Sequence, residues 1–309
     1  MKYAVATMIL LGSAPALAAE VEVIESYDAS VGEYPEGVAV SPDGDIYVTL
    51  AGTGELRRID GKTHVGQSFA QLDPGGGFLL GMAFDDDELY VALGSFDDET
   101  SGIWHVDDEG DATRVVAFTA DQFPNDLAFD DEGNMYVTES ISGAVYKVEE
   151  GSNVAELWVQ DPLLFGDVDM SPVPFPIGVN GIAYDEHTDS VLVVNSQVPA
   201  LIEIEDDDGE AGALSVLAAG EHLRGADGIA LEKDGDVILV SNYHSELMRI
   251  DRDSGCATVL ADGSDGLFFP STVAFGQRRC DRRSLYVVNF GFGGGPDAPV
   301  GLLRIKVGG

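Results

Sequence analysis

The sequence predicts an all-β chain folded as a six-bladed β-propeller. Three observations predict it. A five-residue pattern (a variable residue, usually a small residue, an aliphatic, Ala, an apolar residue) recurs six times along 309 residues. The copies start at positions 36, 80, 125, 180, 227 and 271, so most intervals are about 45 residues. Each copy is followed by further strand-like runs, which makes four antiparallel strands per unit.

The elements follow in order. First strands read Glu36-Gly37-Val38-Ala39-Val40, Leu80-Gly81-Met82-Ala83-Phe84, Asn125-Asp126-Leu127-Ala128-Phe129, Asn180-Gly181-Ile182-Ala183-Tyr184, Asp227-Gly228-Ile229-Ala230-Leu231 and Ser271-Thr272-Val273-Ala274-Phe275. Polar turns come next, such as Ser41-Pro42-Asp43-Gly44, where Asp-Gly marks a hairpin. Second strands are β-branched and aromatic, as in Ile46-Tyr47-Val48-Thr49 and Met135-Tyr136-Val137-Thr138. Third strands alternate, as in Val145-Tyr146-Lys147-Val148 and Leu247-Met248-Arg249-Ile250. A weaker fourth run follows in most copies, for example Ala257-Thr258-Val259-Leu260. The sixth copy has three strands only. Val21–Tyr27 is expected to supply its fourth, an N-terminal strand closing the last blade and removing an open edge. Two stacked sandwiches would not explain one period across the chain.

Ahead of the repeats lies a signal-peptide pattern over residues 1–18. Lys2 is the positive n-region, Ala4 to Leu11 is apolar apart from Thr7, and Ala16-Leu17-Ala18 fits a cleavage site. The expectation is a periplasmic or secreted protein, with residues 19–309 as one propeller domain. The chain carries 55 acidic and 16 basic residues, a formal net charge of −39. That balance excludes nucleic acid and anionic membrane as partners, because both demand a basic face. The expected partner is a small molecule and the expected state is a monomer.

In a propeller the first strand of each blade lines the central channel. The first residues of the six copies therefore form a ring at one mouth: Glu36, Leu80, Asn125, Asn180, Asp227 and Ser271. Asn and Asp singly often cap turns. Glu36, Asn125, Asn180 and Asp227 in register at one end of one channel point instead to a metal. With oxygen ligands and neither His nor Cys, the metal expected is Ca²⁺, although another divalent cation would serve.

These residues carry a resemblance. The sequence resembles the six-bladed family of gluconolactonase, senescence marker protein (regucalcin) and luciferin-regenerating enzyme, and is more distantly similar to diisopropylfluorophosphatase and paraoxonase. The matching positions are Glu36 in Tyr34-Pro35-Glu36-Gly37, Asn125 in Pro124-Asn125-Asp126, Asn180 in Asn180-Gly181 and Asp227 in Asp227-Gly228. The family often has Pro-Val-Trp after the Glu, where Val38-Ala39-Val40 stands here. It often has Asn-Asp-Gly in the third blade, where Leu127 replaces the Gly. The resemblance implies a calcium-dependent hydrolase of lactone or ester-like bonds. A general base is needed; Asp227 is the first candidate, His244 the second and His222 the third. No Gly-x-Ser-x-Gly elbow appears, which argues against a serine hydrolase. The alternatives are a non-catalytic binding propeller with structural calcium, and a strictosidine-synthase-like enzyme.

Two loops are expected at the ring's mouth. Leu163–Val179, which accounts for the longer third interval, carries Phe165 and Phe175 with Pro172, Pro174 and Pro176; Gly291–Pro299 is Gly-rich. Cys256 and Cys280 fall in turns of adjacent blades at the opposite mouth, where a disulfide is possible in an exported protein. Asp85-Asp86-Asp87-Glu88 and Asp206-Asp207-Asp208 do not fit an EF-hand and read as solvated turns.

Overall fold

The computed structural model describes residues 19–171 and 173–306. The expected signal peptide, residues 1–18, lies outside them, as does Pro172 of the long loop. Six four-stranded antiparallel sheets form a ring of blades. Their inner strands are Pro35–Val40, Phe78–Asp85, Pro124–Phe129, Val179–Asp185, Ala226–Leu231 and Pro270–Phe275. Each touches the inner strands of both neighbouring blades, and the first touches the sixth.

The sixth blade is closed as the sequence predicts, with a shift of one residue. The closing strand is Glu20–Ser26, paired antiparallel with Gly301–Lys306. Tyr27 extends the pairing by one bond, from its N–H to the Val300 carbonyl (3.1 Å). Asp28 then caps a short 3-10 turn at Ala29–Val31, which ends the strand.

Hydrophobic burial is distributed between blades. One apolar cluster joins blades one and two through Tyr47, Leu56, Leu79 and Val91. Others fill the remaining interfaces, as Tyr136 and Val145 do against Ile182 and Val193 between blades three and four. Second strands such as Ile46–Leu50 and Met135–Glu139 are buried throughout, because a neighbouring blade covers each face. Of the residues ringing the centre, Leu80 takes part in this packing, while Glu36, Asn125, Asn180, Asp227 and Ser271 are polar.

Two details differ from the sequence reading. Cys256 and Cys280 are both exposed and unbonded, so the possible disulfide is not formed. Asp206 is not a solvated turn residue. Its side chain is 7% exposed, and it accepts from the Tyr136 hydroxyl and the Gly209 N–H (2.6 Å) with Lys147 Nζ at 3.5 Å. Blade three's Tyr and Lys reach across to blade four and take it out of water. Asp207 and Asp208 are exposed as expected.

Candidate metal centre and its cavity

Every inner strand is interrupted at the same place. The pairing with the second strand shifts register between Pro35 and Val38, Leu79 and Met82, Pro124 and Leu127, Val179 and Ile182, Ala226 and Ile229, and Pro270 and Val273. Each shift is a β-bulge, which re-aims a side chain. The first bulged residue in each blade is the ring residue of the sequence repeat. Residue two of the bulge is Gly37, Gly81, Gly181 or Gly228 in four blades, where the next blade's backbone or side chain leaves no room for a Cβ.

Hydroxyls from the second strands hold the bulges. Thr49 Oγ1 accepts from the Gly37 N–H (2.7 Å) and donates to the Leu80 carbonyl (2.8 Å). Thr138 Oγ1 accepts from the Asp126 N–H (3.1 Å) and donates to the Asn180 carbonyl (2.6 Å). Ser140 and Ser196 donate to the Val179 (2.7 Å) and Ala226 (2.6 Å) carbonyls. Because a carbonyl only accepts, the proton of each serine is committed. Asn125 and Asn180 must therefore face Ser140 and Ser196 with their Nδ2 groups, at 2.9 and 3.0 Å. Each amide thus has its Oδ1 as the end left for a ligand.

Glu36, Asn125, Asn180 and Asp227 are all buried, and all four line one cavity of about 430 Å³. Leu80 also lines it. Ser271, the remaining ring residue, donates its hydroxyl to the Glu36 carbonyl (2.7 Å) and anchors that strand. Glu36 Oε2 is buried and has no hydrogen-bond partner among the described residues. Asp227 Oδ2 accepts from Asn242 Nδ2 (3.1 Å).

A third carboxylate, Asp126, was not singled out from the sequence. It is the second bulge residue of blade three, and its side chain occupies the space that Gly81 leaves in blade two. Its oxygens accept from the Leu127 (2.9 Å) and Ile182 (3.3 Å) N–H groups. Burial pushes the Asp126 carboxyl up to about 7, against the pull of those two N–H groups. Burial likewise pushes Asp227 up to about 8; Asn242 and Asn180 oppose this, and the Asp126 charge adds to it. Burial, then the charges of Asp227 and Asp126, hold the Glu36 carboxyl well above the usual carboxylate range. The missing counterpart is a positive charge. A buried oxygen with no partner, two oriented amide oxygens and crowded carboxylates fit a hard divalent cation.

His244 lies on this mouth but outside the residues lining the cavity. Its Nε2 meets the Glu221 carbonyl at 2.8 Å, so that nitrogen carries the proton and Nδ1 is the basic atom. His222 is exposed in the turn Glu221–Leu223.

Both expected loops reach the cavity. Met170, Val173 and Phe175 line it, whereas Phe165 is 43% exposed and does not. Gln197 Oε1 ties this loop down by accepting from the Asp167 N–H (2.7 Å), and its buried Nε2 has no partner among the described residues. Phe292 comes from the Gly-rich loop. Phe269 also lines the cavity at φ +46°, a conformation that costs a bulky residue about 1–2 kcal/mol.

A separate group, Glu232, Asp234 and Asp236, brings carboxylate oxygens within 4.8 Å of one another in the first turn of blade five. It sits at the opposite mouth, and Glu232 is paired with Arg249.

Comparison with known proteins agrees at the level of the fold. The strictosidine synthase-like, N-terminal family model matches residues 22–59. No curated protein matches the sequence. A gluconolactonase from Xanthomonas campestris superposes with a TM-score of 0.70 at 14% identity, covering 94% of this chain and 90% of that one. A luciferin-regenerating enzyme gives 0.68 at 14% identity, covering 94% of this chain and 95% of that one. Regucalcin from Agrobacterium tumefaciens, a calcium-binding protein, gives 0.68 at 15% identity over 94% of both chains. The resemblance drawn from the ring residues thus holds as a shared six-bladed architecture.

Proposed function

We propose that the chain is an exported, calcium-dependent hydrolase of lactone or ester-like bonds. The observation that carries this reading is the oxygen quartet itself: Glu36, Asn125, Asn180 and Asp227, with Glu36 Oε2 buried and partnerless. These four would hold the cation, and the cavity above them admits a small molecule. The gluconolactonase-like neighbours support a small-molecule substrate. Propellers serve many functions, so the site rather than the fold must decide.

When bound, a divalent cation supplies Lewis-acid polarisation of the substrate carbonyl and stabilises the developing oxyanion. The chain's residues do the rest. Asn242 fixes the Asp227 carboxylate by bonding Oδ2, and Asp227 is the first candidate to take a proton from the attacking water. The water oxygen bonds to the acyl carbon, the acyl carbon–oxygen bond breaks, and the released alcohol oxygen takes a proton. His244 Nδ1 is the second candidate base. Phe175, Phe269 and Phe292 on the cavity lining would shield the acyl carbon from bulk water.

The test is hydrolysis of aldonolactones, alkyl lactones and aryl esters, with calcium and with chelator. Turnover lost in chelator and restored by calcium is expected. The match to the strictosidine synthase-like model over the closing strand and first blade favours a second reading, an enzyme that does not need the quartet. Turnover that survives chelation would remove the quartet from catalysis, as that reading requires. Export rests on Lys2, the apolar run and Ala16-Leu17-Ala18; protein recovered outside the cytoplasm should begin after Ala18, and a retained Met1 would refute it.

A further inference from the structure

We infer that the substrate is an aryl or medium-chain alkyl lactone or ester, apolar on both sides of its polar bond, rather than a polyhydroxylated lactone. This rests on the hydrolase reading and deepens it.

Two aromatic walls flank the oxygen quartet. On the side of blades two and three, Phe123 packs with Phe78 (6.3 Å between ring centroids) and with Phe175 (5.1 Å). Phe96 backs this wall at 5.3 Å from Phe175. On the side of blades five and six, Phe290 lies 5.4 Å from Phe292 and 6.2 Å from Phe269. Blades two and three stand across the channel from blades five and six, so the walls face each other over the acidic floor.

The polar groups on the floor between the walls are mostly engaged; Asp169 and Ser171 of the long loop add an exposed carboxylate and a hydroxyl to the lining. The amide nitrogens of Asn125 and Asn180 face serines, and Asn242 Nδ2 serves Asp227. Gln197 Oε1 serves the long loop, which leaves its Nε2 as a free donor. Arg224 is the cation of the lining; it stacks over the Tyr243 ring at 4.4 Å and pairs with Glu221 (3.1 Å). A sugar ring can lie on one aromatic face, but its hydroxyl edge needs partners, and here that edge would meet a second aromatic wall. Hydroxyls desolvated without hydrogen bonds oppose binding. Alkyl or aryl groups gain from the same surfaces. The left-handed backbone at Phe269 holds one ring of the second wall in place. Its N–H is bonded to Ser245 Oγ (3.1 Å) and its carbonyl accepts from the Phe290 N–H (3.1 Å).

The experiment uses the calcium-loaded chain and δ-lactones of one ring size: δ-valerolactone, δ-decalactone and glucono-δ-lactone. We expect kcat/KM to rise about tenfold or more from valerolactone to decalactone through methylene burial, with gluconolactone below both. A flat series, or preference for gluconolactone, overturns the inference. Binding is measured separately from turnover, by calorimetry with two inert ethers, 2-pentyltetrahydropyran and 1,5-anhydroglucitol. Binding of the first alone, without hydrolysis of any lactone, sustains the apolar site and removes the hydrolase. Binding of the second alone, or of neither, overturns the inference. Phe269→Asn keeps the left-handed backbone and removes a ring; Phe292→Ser opens the same wall from the loop. Each should weaken pentyltetrahydropyran binding several-fold while the calcium-induced rise in Tm persists. Unchanged ether binding in both variants would place the ligand elsewhere.

Discussion

Asp185 and Asp227 expose equally little surface, at 7% and 6%, but Asp227 lies deeper in the protein, and the two are treated oppositely. They stand at opposite ends of inner strands in adjacent blades. At Asp185, burial alone would push the carboxyl up. The His187 N–H, Arg252 and Thr188 outweigh that and hold it below its ordinary value. At Asp227 burial dominates, two amides give partial relief, and the Asp126 charge adds to the strain. At the opposite mouth buried and half-buried acids are paired with arginines, as Asp45 is with Arg58 (2.8 Å) and Asp281 with Arg278 (2.6 Å). The ring's mouth gathers Glu36, Asp126 and Asp227 and offers only Arg224 at the cavity's edge. A fold able to neutralise one buried aspartate so fully, and leaving the other uncompensated, marks the second as kept for a ligand.

The largest test of that contrast is Asp227→Asn. The calcium-induced rise in Tm should vanish, together with any turnover, while the calcium-free protein melts no lower than wild type. A calcium response of normal size would show that the quartet does not hold the ion. Next is Asp185→Ala, which leaves the Arg252 guanidinium one carboxylate, Glu203, beside the Thr188 and Ser190 hydroxyls. A loss of about 2–4 kcal/mol is expected in urea unfolding, with the calcium response intact; a loss no larger than that of an exposed aspartate would equalise the two sites. The smallest is the pH dependence of the calcium-free protein. Folded pKa values above unfolded ones mean that the unfolded chain gives up these protons first as pH rises. The site's contribution to stability is therefore fully present below about pH 4 and is lost on the way to about pH 8, where Asp227 titrates. Asp227→Asn should flatten that slope, and calcium should oppose it by binding the ionised form. A slope unchanged by the substitution would locate it in other groups.

The sequence carries the blades and the ring because both are periodic. Six copies of one pattern set the strand order, and register alone brings Glu36, Asn125, Asn180 and Asp227 to one mouth. Asp126 escaped because it reads as an ordinary polar residue beside Asn125. Its mark is a break in a second periodicity: blades one, two, four and five place Gly after the ring residue, and blade three places Asp. Thr49 and Thr138 stand inside the repeated second-strand motif, but their bonds to bulge N–H groups and neighbouring-blade carbonyls depend on bulges that no residue type announces. Asn242 and most of the facing phenylalanines lie just past strand ends or in loops; the mouth that the two loops reach is legible from strand order, but which ring turns inward is not. The opposed treatment of Asp185 and Asp227 is the least legible, since it depends on what each meets after the ring closes.

That closure also orders events in time. Glu20 meets Lys306 across 286 positions, at 3.0 Å, so the earliest segment of the propeller to leave the ribosome waits for nearly the last. Until Gly301–Lys306 emerges, Glu20–Ser26 has no partner strand and the sixth blade is incomplete. Such distant pairing slows folding and leaves strand edges open meanwhile. Glu36 receives the Ser271 hydroxyl on its carbonyl only once the sixth blade's inner strand meets the first, so the oxygen quartet takes its final form when the circle joins.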